Sequence, residues 1–245
     1  MKQVEILGVT FDGMGLEEVL SVFCGYLKTF CNHVVTTPNP EMVMRALRDP
    51  DFKKVLCEAD LRLPDGVGIV LASKFLGNPV PRKLGGCDTV MSFFDAIKSE
   101  GRAVYLLGAQ PGVAAAAGKN LETTYPGLRV VGARDGYFKP EEEPGIINEI
   151  NACKPDILVL GMSMIKQESF ALKYKDALNA RIIFCLGGSI EVFAGETKRP
   201  PRFMRRIGLE WLGRLIIQPK RIKRMADLPR FMSAVISAKI NMNSK

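Results

Sequence analysis

Four polar turns carry residue types that can hold and activate a small polar substrate. Thr36-Thr37-Pro38-Asn39-Pro40 sets hydroxyl and amide groups between two prolines, where the backbone cannot continue as a regular strand. Pro64-Asp65-Gly66-Val67-Gly68 puts a carboxylate on a tight turn directly before a helical stretch. Gly108-Ala109-Gln110-Pro111-Gly112 is a glycine-bearing strand-to-helix turn whose backbone amides can receive a diphosphate. Lys166-Gln167-Glu168 follows Gly161 at the start of another helical stretch. Each turn also has a plainer reading. Pro-Asp-Gly is a common turn in which Asp65 caps a helix, Thr37 and Asn39 are ordinary turn formers, and Lys-Gln-Glu suits an exposed first turn.

Other chemistries find little support. The six cysteines are scattered, with no C-x-x-C pair and no histidine cluster to complete a zinc site, so they read as reduced packing residues and no metal is expected. The single histidine, His33, and the lack of a G-x-S-x-G elbow argue against a Ser-His or Cys-His nucleophile. The turn at Gly108 is not G-x-G-x-x-G and has no acidic residue at the distance that would bind a ribose, so a nicotinamide enzyme is a weak candidate.

The elements that must position these turns follow from hydrophobic patterning. Strand-like segments lie at 4–7, 34–37, 103–108, 128–132, 156–161 and 181–187, most of them Val/Ile/Leu runs ending in glycine, as suits strands buried on both faces. Helical segments at 16–30, 41–58, 67–76, 89–100, 113–125, 142–153 and 167–178 alternate with them. The alternation predicts an α/β fold with a largely parallel sheet sandwiched by helices. Ligands bind such sheets at the carboxyl ends of the strands, which is where the four turns would meet.

Near residue 195 the alternation stops, and Lys198-Arg199-Pro200-Pro201 breaks the chain. We place a catalytic domain at 1–195 and a small helical appendage at 196–245. The appendage holds 13 Lys/Arg against three acidic residues, a net of +10, whereas 21 basic and 23 acidic residues precede it. Such a block implies an anionic partner or a solvated surface. Ile207, Trp211 and Leu215, joined by Leu212 and Ile216, form an apolar stripe at helical spacing within it, suited to a bilayer interface or to the protein's own core. The longest apolar runs fall far short of the roughly 20 residues of a spanning helix, and the N-terminus lacks a signal peptide's layout. A cytoplasmic protein is expected.

One family unites these features. In order, the chain carries Thr37-x-Asn39, Pro64-Asp65-Gly66, Gly86-x-Asp88, Leu106-Leu107-Gly108, Tyr125-Pro126-Gly127-Leu128, Gly136-Tyr137-Phe138, Pro155-Asp156, Lys166-Gln167-Glu168, Gly187-Gly188, Ala194-Gly195 and Leu209-Glu210-Trp211-Leu212 with Arg214-Leu215. In this order and spacing the chain resembles the WecG/TagA/CpsF glycosyltransferases from about residue 4 to residue 225. The resemblance implies a Rossmann-like fold of the GT-E type and an inverting, metal-independent transfer without cofactor at the inner face of the bacterial membrane. In the teichoic acid branch it implies UDP-N-acetylmannosamine as donor, undecaprenyl-diphosphate-N-acetylglucosamine as acceptor, and peripheral attachment to an anionic membrane surface. Carried over by position, Asp65 is the general base, and Thr37, Asn39 and Gln167 line the sugar pocket. Lys83 and Asp88 join the substrate-binding set. Gly108, Tyr137, Gly187, Gly188 and Glu191 hold the nucleotide, and Arg214, Arg221 and Arg224 reach the diphosphates. A homo-oligomer is compatible with the sequence.

The chain departs from the family pattern at four positions. Lys83 stands where an arginine is usual, which replaces a bidentate guanidinium by a point charge. Ser163 and Ile165 replace a glycine and a proline, and Glu191 replaces an aspartate. These leave the fold and class and put the donor and the rate in question, so a relative with an altered donor (the uronic acid or another hexose) or weak activity is the alternative. A nucleic-acid-binding protein rests on the basic tail alone and lacks the interleaved aromatics of such proteins.

Overall fold

The computed structural model describes residues 2–198, 200–201, 204, 208–217 and 227–243. The chain opens with an antiparallel hairpin of β1 (Gln3–Ile6) and β2 (Val9–Asp12) that reverses at Leu7-Gly8, both at positive φ, the handedness that a two-residue hairpin turn requires. Residues 4–7 were expected as a lone strand. The second arm escapes the pattern because Val9-Thr10-Phe11-Asp12 is short and ends in a buried carboxylate, not a glycine.

Six parallel strands follow in one sheet: β3 (His33–Thr36), β4 (Leu61–Arg62), β5 (Ala103–Gly108), β6 (Arg129–Arg134), β7 (Ile157–Gly161) and β8 (Ile182–Cys185), in the spatial order β4-β3-β8-β7-β5-β6. Strand period two divides their side chains between two cores. Val104, Leu106, Ile157, Val159, Ile182 and Phe184 face one core, while Tyr105, Leu107, Leu158, Leu160, Ile183 and Cys185 face the other. Helices α1 (Leu16–Tyr26), α5 (Gly86–Ile97), α6 (Val113–Thr124) and α9 (Ser189–Phe193) cover the first face, and α7 (Glu143–Ala152) and α8 (Met164–Lys173) the second. Phe23, Phe93 and Phe184 meet edge-on in the first core with centroids 4.9–6.0 Å apart, a geometry that adds to their burial. The parallel sheet between helices matches the Rossmann-like expectation.

A third core joins the hairpin to α2 (Pro40–Arg48), α3 (Pro50–Glu58) and α4 (Val67–Leu76). Residues 41–58, expected as one helix, are two. Pro50 forces Asp49 into an extended conformation (φ −135°, ψ 95°), and the Asp49 carboxylate caps α3 by accepting from the Phe52 amide at 3.1 Å. A buried ion pair, Arg62 to Asp12 at 3.1 Å, ties the hairpin to the two-residue strand β4. Asp12 also accepts from the Arg62 backbone amide at 2.9 Å.

Beyond residue 195 the described helices are α10 (Glu210–Ile217) and α11 (Asp227–Asn243). Helix α11 packs on α2 and α4 and places fully buried Phe231 and Val235 in the third core. This end of the basic segment is therefore built into the body of the protein. Among the described residues no helix is long and apolar enough to cross a membrane.

Candidate active site

Strand β8 enters the sheet between β3 and β7, so chain segments distant in sequence end side by side at the carboxyl edge. The loops there enclose a cleft of about 730 Å³. Thr37 and Asn39 contribute after β3, Asp65 after β4, Ala109 after β5, residues 136–139 after β6, Gly161 at the end of β7 with residues 162–163 after it, and Leu186, Gly187 and Gly188 after β8. A second pocket of about 170 Å³ adjoins it, more apolar, with Val67, Trp211 and Leu228 in its wall. Asn39, Glu41 and Asp65 line both cavities.

Backbone hydrogen bonds explain why Asp65 and Thr37 are neighbours. The Asp65 amide donates to the Pro38 carbonyl at 3.1 Å, and the Leu84 amide to the Pro64 carbonyl at 2.7 Å. These bonds zip three loops together. Gly85 and Gly86 then fit against the pair, since a Cβ would lie 3.3 Å from Asp65 Oδ1 at Gly85 and 3.0 Å from the Thr37 side chain at Gly86. Gly66, at φ 88°, permits the sharp exit into α4. Asn39 caps α2, its Oδ1 accepting from the Met42 amide at 3.0 Å, so its turn-forming role and its place in the cleft coexist.

The remaining predicted residues divide. Gln167 lies in the cleft wall, almost fully buried; its Oε1 accepts from the Gly187 amide at 2.8 Å and the Met162 amide at 3.3 Å. Tyr137 stands exposed at the rim, its hydroxyl accepting from Gln110 at 2.7 Å. Gly187, Gly188 and Glu191 line the cleft. Gly108 does not, although Ala109 beside it does. A Cβ on Gly108 would lie 2.3 Å from the Gly161 carbonyl oxygen, so this glycine permits β5 and β7 to end in close contact. Asp88 lies in the first turn of α5 and borders neither cavity. Lys83 lines the smaller pocket and pairs with Glu210 of α10 at 3.0 Å. Arg214 belongs to α10 with its side chain outside the described residues, and Arg221 and Arg224 lie outside them altogether.

Three residues gain roles that the sequence pattern did not assign. Lys166 donates to the carbonyls of Gly136 and Phe138 at 2.9 Å each and lies 3.5 Å over the Phe138 ring, pinning the rim; burial lowers its proton affinity. Glu41, in the first turn of α2, borders both cavities beside Asp65. Glu168 is a carboxyl group inside the protein, 1% exposed. Burial pushes it up to about 8 against an ordinary 4.5, while hydrogen bonds from Gln167 and Thr36 act in the opposite sense. In sequence, Lys166-Gln167-Glu168 marks the turn but reads as an exposed first turn of a helix, so the burial of Glu168 was not legible there.

The cleft thus offers two carboxylates, Asp65 and Glu41, at the junction of two cavities, and a wall that includes Ser163 and Met164 at the N-terminus of α8, where backbone amides and the helix dipole favour an anion. A family model described as the WecG/TagA/CpsF glycosyl transferases matches residues 4–245. The chain belongs to this family. Among its relatives, an N-acetylglucosaminyldiphosphoundecaprenol N-acetyl-beta-D-mannosaminyltransferase of Bacillus spizizenii is 35% identical over 202 residues, covering 82% of this chain and 78% of the relative. Proteins of the same name from Bacillus subtilis and Staphylococcus aureus are 30% and 31% identical, covering 88% and 97% of this chain and 84% and 93% of their own lengths.

Proposed function

We propose that this transferase moves N-acetylmannosamine from UDP-N-acetylmannosamine to undecaprenyl-diphosphate-N-acetylglucosamine with inversion, in teichoic acid or related cell-surface polysaccharide synthesis. The observation that carries the reading is the position of Asp65, shared by a large polar cleft and a smaller, more apolar pocket. The nucleotide sugar occupies the large cleft and the acceptor sugar enters from the smaller pocket. Asp65 takes the proton of the acceptor hydroxyl as its oxygen bonds to the anomeric carbon, and the bond to the UDP oxygen breaks on the opposite face, which inverts the centre. The departing diphosphate meets the amides at the start of α8, and arginines of the 196–245 segment complete its neutralisation.

Attachment to the membrane belongs to the same proposal. On α10, Trp211, Ile216 and Ile217 are exposed, within a segment of net +10. That combination supports a helix lying in an anionic bilayer surface at the cytoplasmic face. The test is turnover of UDP-N-acetylmannosamine with a short-chain lipid-diphosphate acceptor, the product's anomeric configuration being read by NMR. A β-linked disaccharide is expected from the α-configured donor. Retention, or turnover only with another UDP-sugar, would overturn the assignment.

A further inference from the structure

We propose that Glu168 is a positioning residue for the transfer, fixing the Gln167 side-chain amide so that it clamps the Met162 and Gly187 turns into the wall of the cleft. The inference rests on the transferase reading only for its kinetic arm.

The hydrogen bonds dictate the orientation. Gln167 Oε1 accepts from two backbone amides, Gly187 at 2.8 Å and Met162 at 3.3 Å, so the other end of the amide must donate. It donates to Glu168 Oε1 at 2.9 Å, and Thr36 Oγ1 donates to the same oxygen at 3.2 Å. One carboxyl oxygen therefore collects both donors. The other, Oε2, is buried with no hydrogen-bond partner among the described residues. A buried carboxylate in that state leaves charge on an unsatisfied oxygen, whereas a neutral acid carries its proton on Oε2 and keeps Oε1 as acceptor.

The chain of contacts links the carboxyl ends of three neighbouring strands. Thr36 closes β3, Met162 follows β7, and Gly187 follows β8. The ends of β7 and β8 already approach closely, since a Cβ on Gly161 would lie 3.0 Å from the Gly187 carbonyl oxygen. The residues that follow these strand ends, Thr37, Ser163 and Gly188, line the cleft. A flipped or released Gln167 would leave the Gly187 amide without its acceptor and let that turn move. The titratable group set against Glu168 is Cys185 of β8, whose own thiol is pushed up by burial and by Glu168. Among the described residues no lysine or arginine adds to the influences on Glu168. Its proton is therefore governed by burial, by the Gln167 donor, by its own backbone amide and by the Thr36 donor.

The experiment compares wild type with Glu168→Gln and Glu168→Ala by hydrogen exchange at the Met162 and Gly187 amides, and by kinetics. Glu168→Gln keeps a neutral acceptor at Oε1. It should leave both amides protected, with KM for the UDP-sugar within about twofold of wild type. Glu168→Ala should lower protection at Gly187 by about tenfold and raise KM by a similar factor, with kcat falling less, as the loss of a buried hydrogen bond implies. Relative to Glu168→Gln, wild type should lose protection at both amides progressively as pH rises from 6 to about 8, and no further above it. That comparison needs only the two variants that keep the side chain's shape. Equal protection in wild type and Glu168→Gln from pH 6 to pH 9, or full protection in a folded Glu168→Ala, would overturn the inference. A wild-type protein that protects Gly187 in this pH-dependent way yet transfers no sugar would sink the substrate assignment and leave the clamp standing.

Discussion

Replacing Glu168 by Gln is expected to flatten the dependence of stability on pH and to make the protein more stable above pH 7. Burial holds the folded-state carboxyl protonated up to about 8, while its ordinary value is 4.5. Between these limits the native state keeps a proton that the unfolded chain has released, so unfolding releases a proton and stability falls as pH rises. The stability contributed by the protonated side chain is complete below 4.5 and lost as pH passes through about 8. At 1.36 kcal/mol per unit, the interval sets a ceiling of about 5 kcal/mol. Urea unfolding of wild type and Glu168→Gln at pH 5, 6, 7, 8 and 9 measures it, the mutant serving as reference for every other titrating group. Parallel stability curves for the two proteins would refute the reasoning, because they would mean that Glu168 ionises in the folded state as it does in the unfolded chain.

Asp65→Asn should cut turnover by about two to four orders of magnitude while UDP binding, measured by calorimetry, stays near wild type, since a positioned base contributes about that factor. Phe231→Ala should destabilise the protein by about 3–5 kcal/mol, because the ring is fully buried where α11 meets α2 and α4; chemical denaturation checks it. A protein cut after residue 195 should accordingly unfold more readily and expose the third core to a hydrophobic dye. Lys83→Met removes the pair with Glu210, which is partly exposed, so stability should change by less than about 1 kcal/mol. A rise of about tenfold in acceptor KM, with donor KM unchanged, is the expected kinetic result.

What the sequence determined by itself is the local part of the protein. Val/Ile/Leu runs at 103–108, 156–161 and 181–187 announced strands buried on both faces, because period-two side chains that are all apolar can satisfy two cores at once. Val67–Leu76 reads as a helix from its composition and its flanking glycines, and the structure ends it at the same residues. The turns bearing Thr37, Asn39 and Asp65 were visible because proline fixes φ and glycine admits the positive φ that sharp turns need. Pro50 was equally visible, yet the apolar pattern on both sides of it continues through the break. The order of the strands was decided by tertiary pairing alone. No local pattern states that β8 inserts between β3 and β7, and that insertion brings Gly187 and Gln167 beside Thr36. The same packing buries Glu168, leaves Asp88 outside both cavities and carries Glu41 to the edge of both. It also docks α11 on the third core through Phe231 and Val235, two apolar residues whose spacing is equally consistent with a free amphipathic helix. Periodicity reports which face of an element is apolar; only the partner that covers that face decides what becomes of the polar residues beside it.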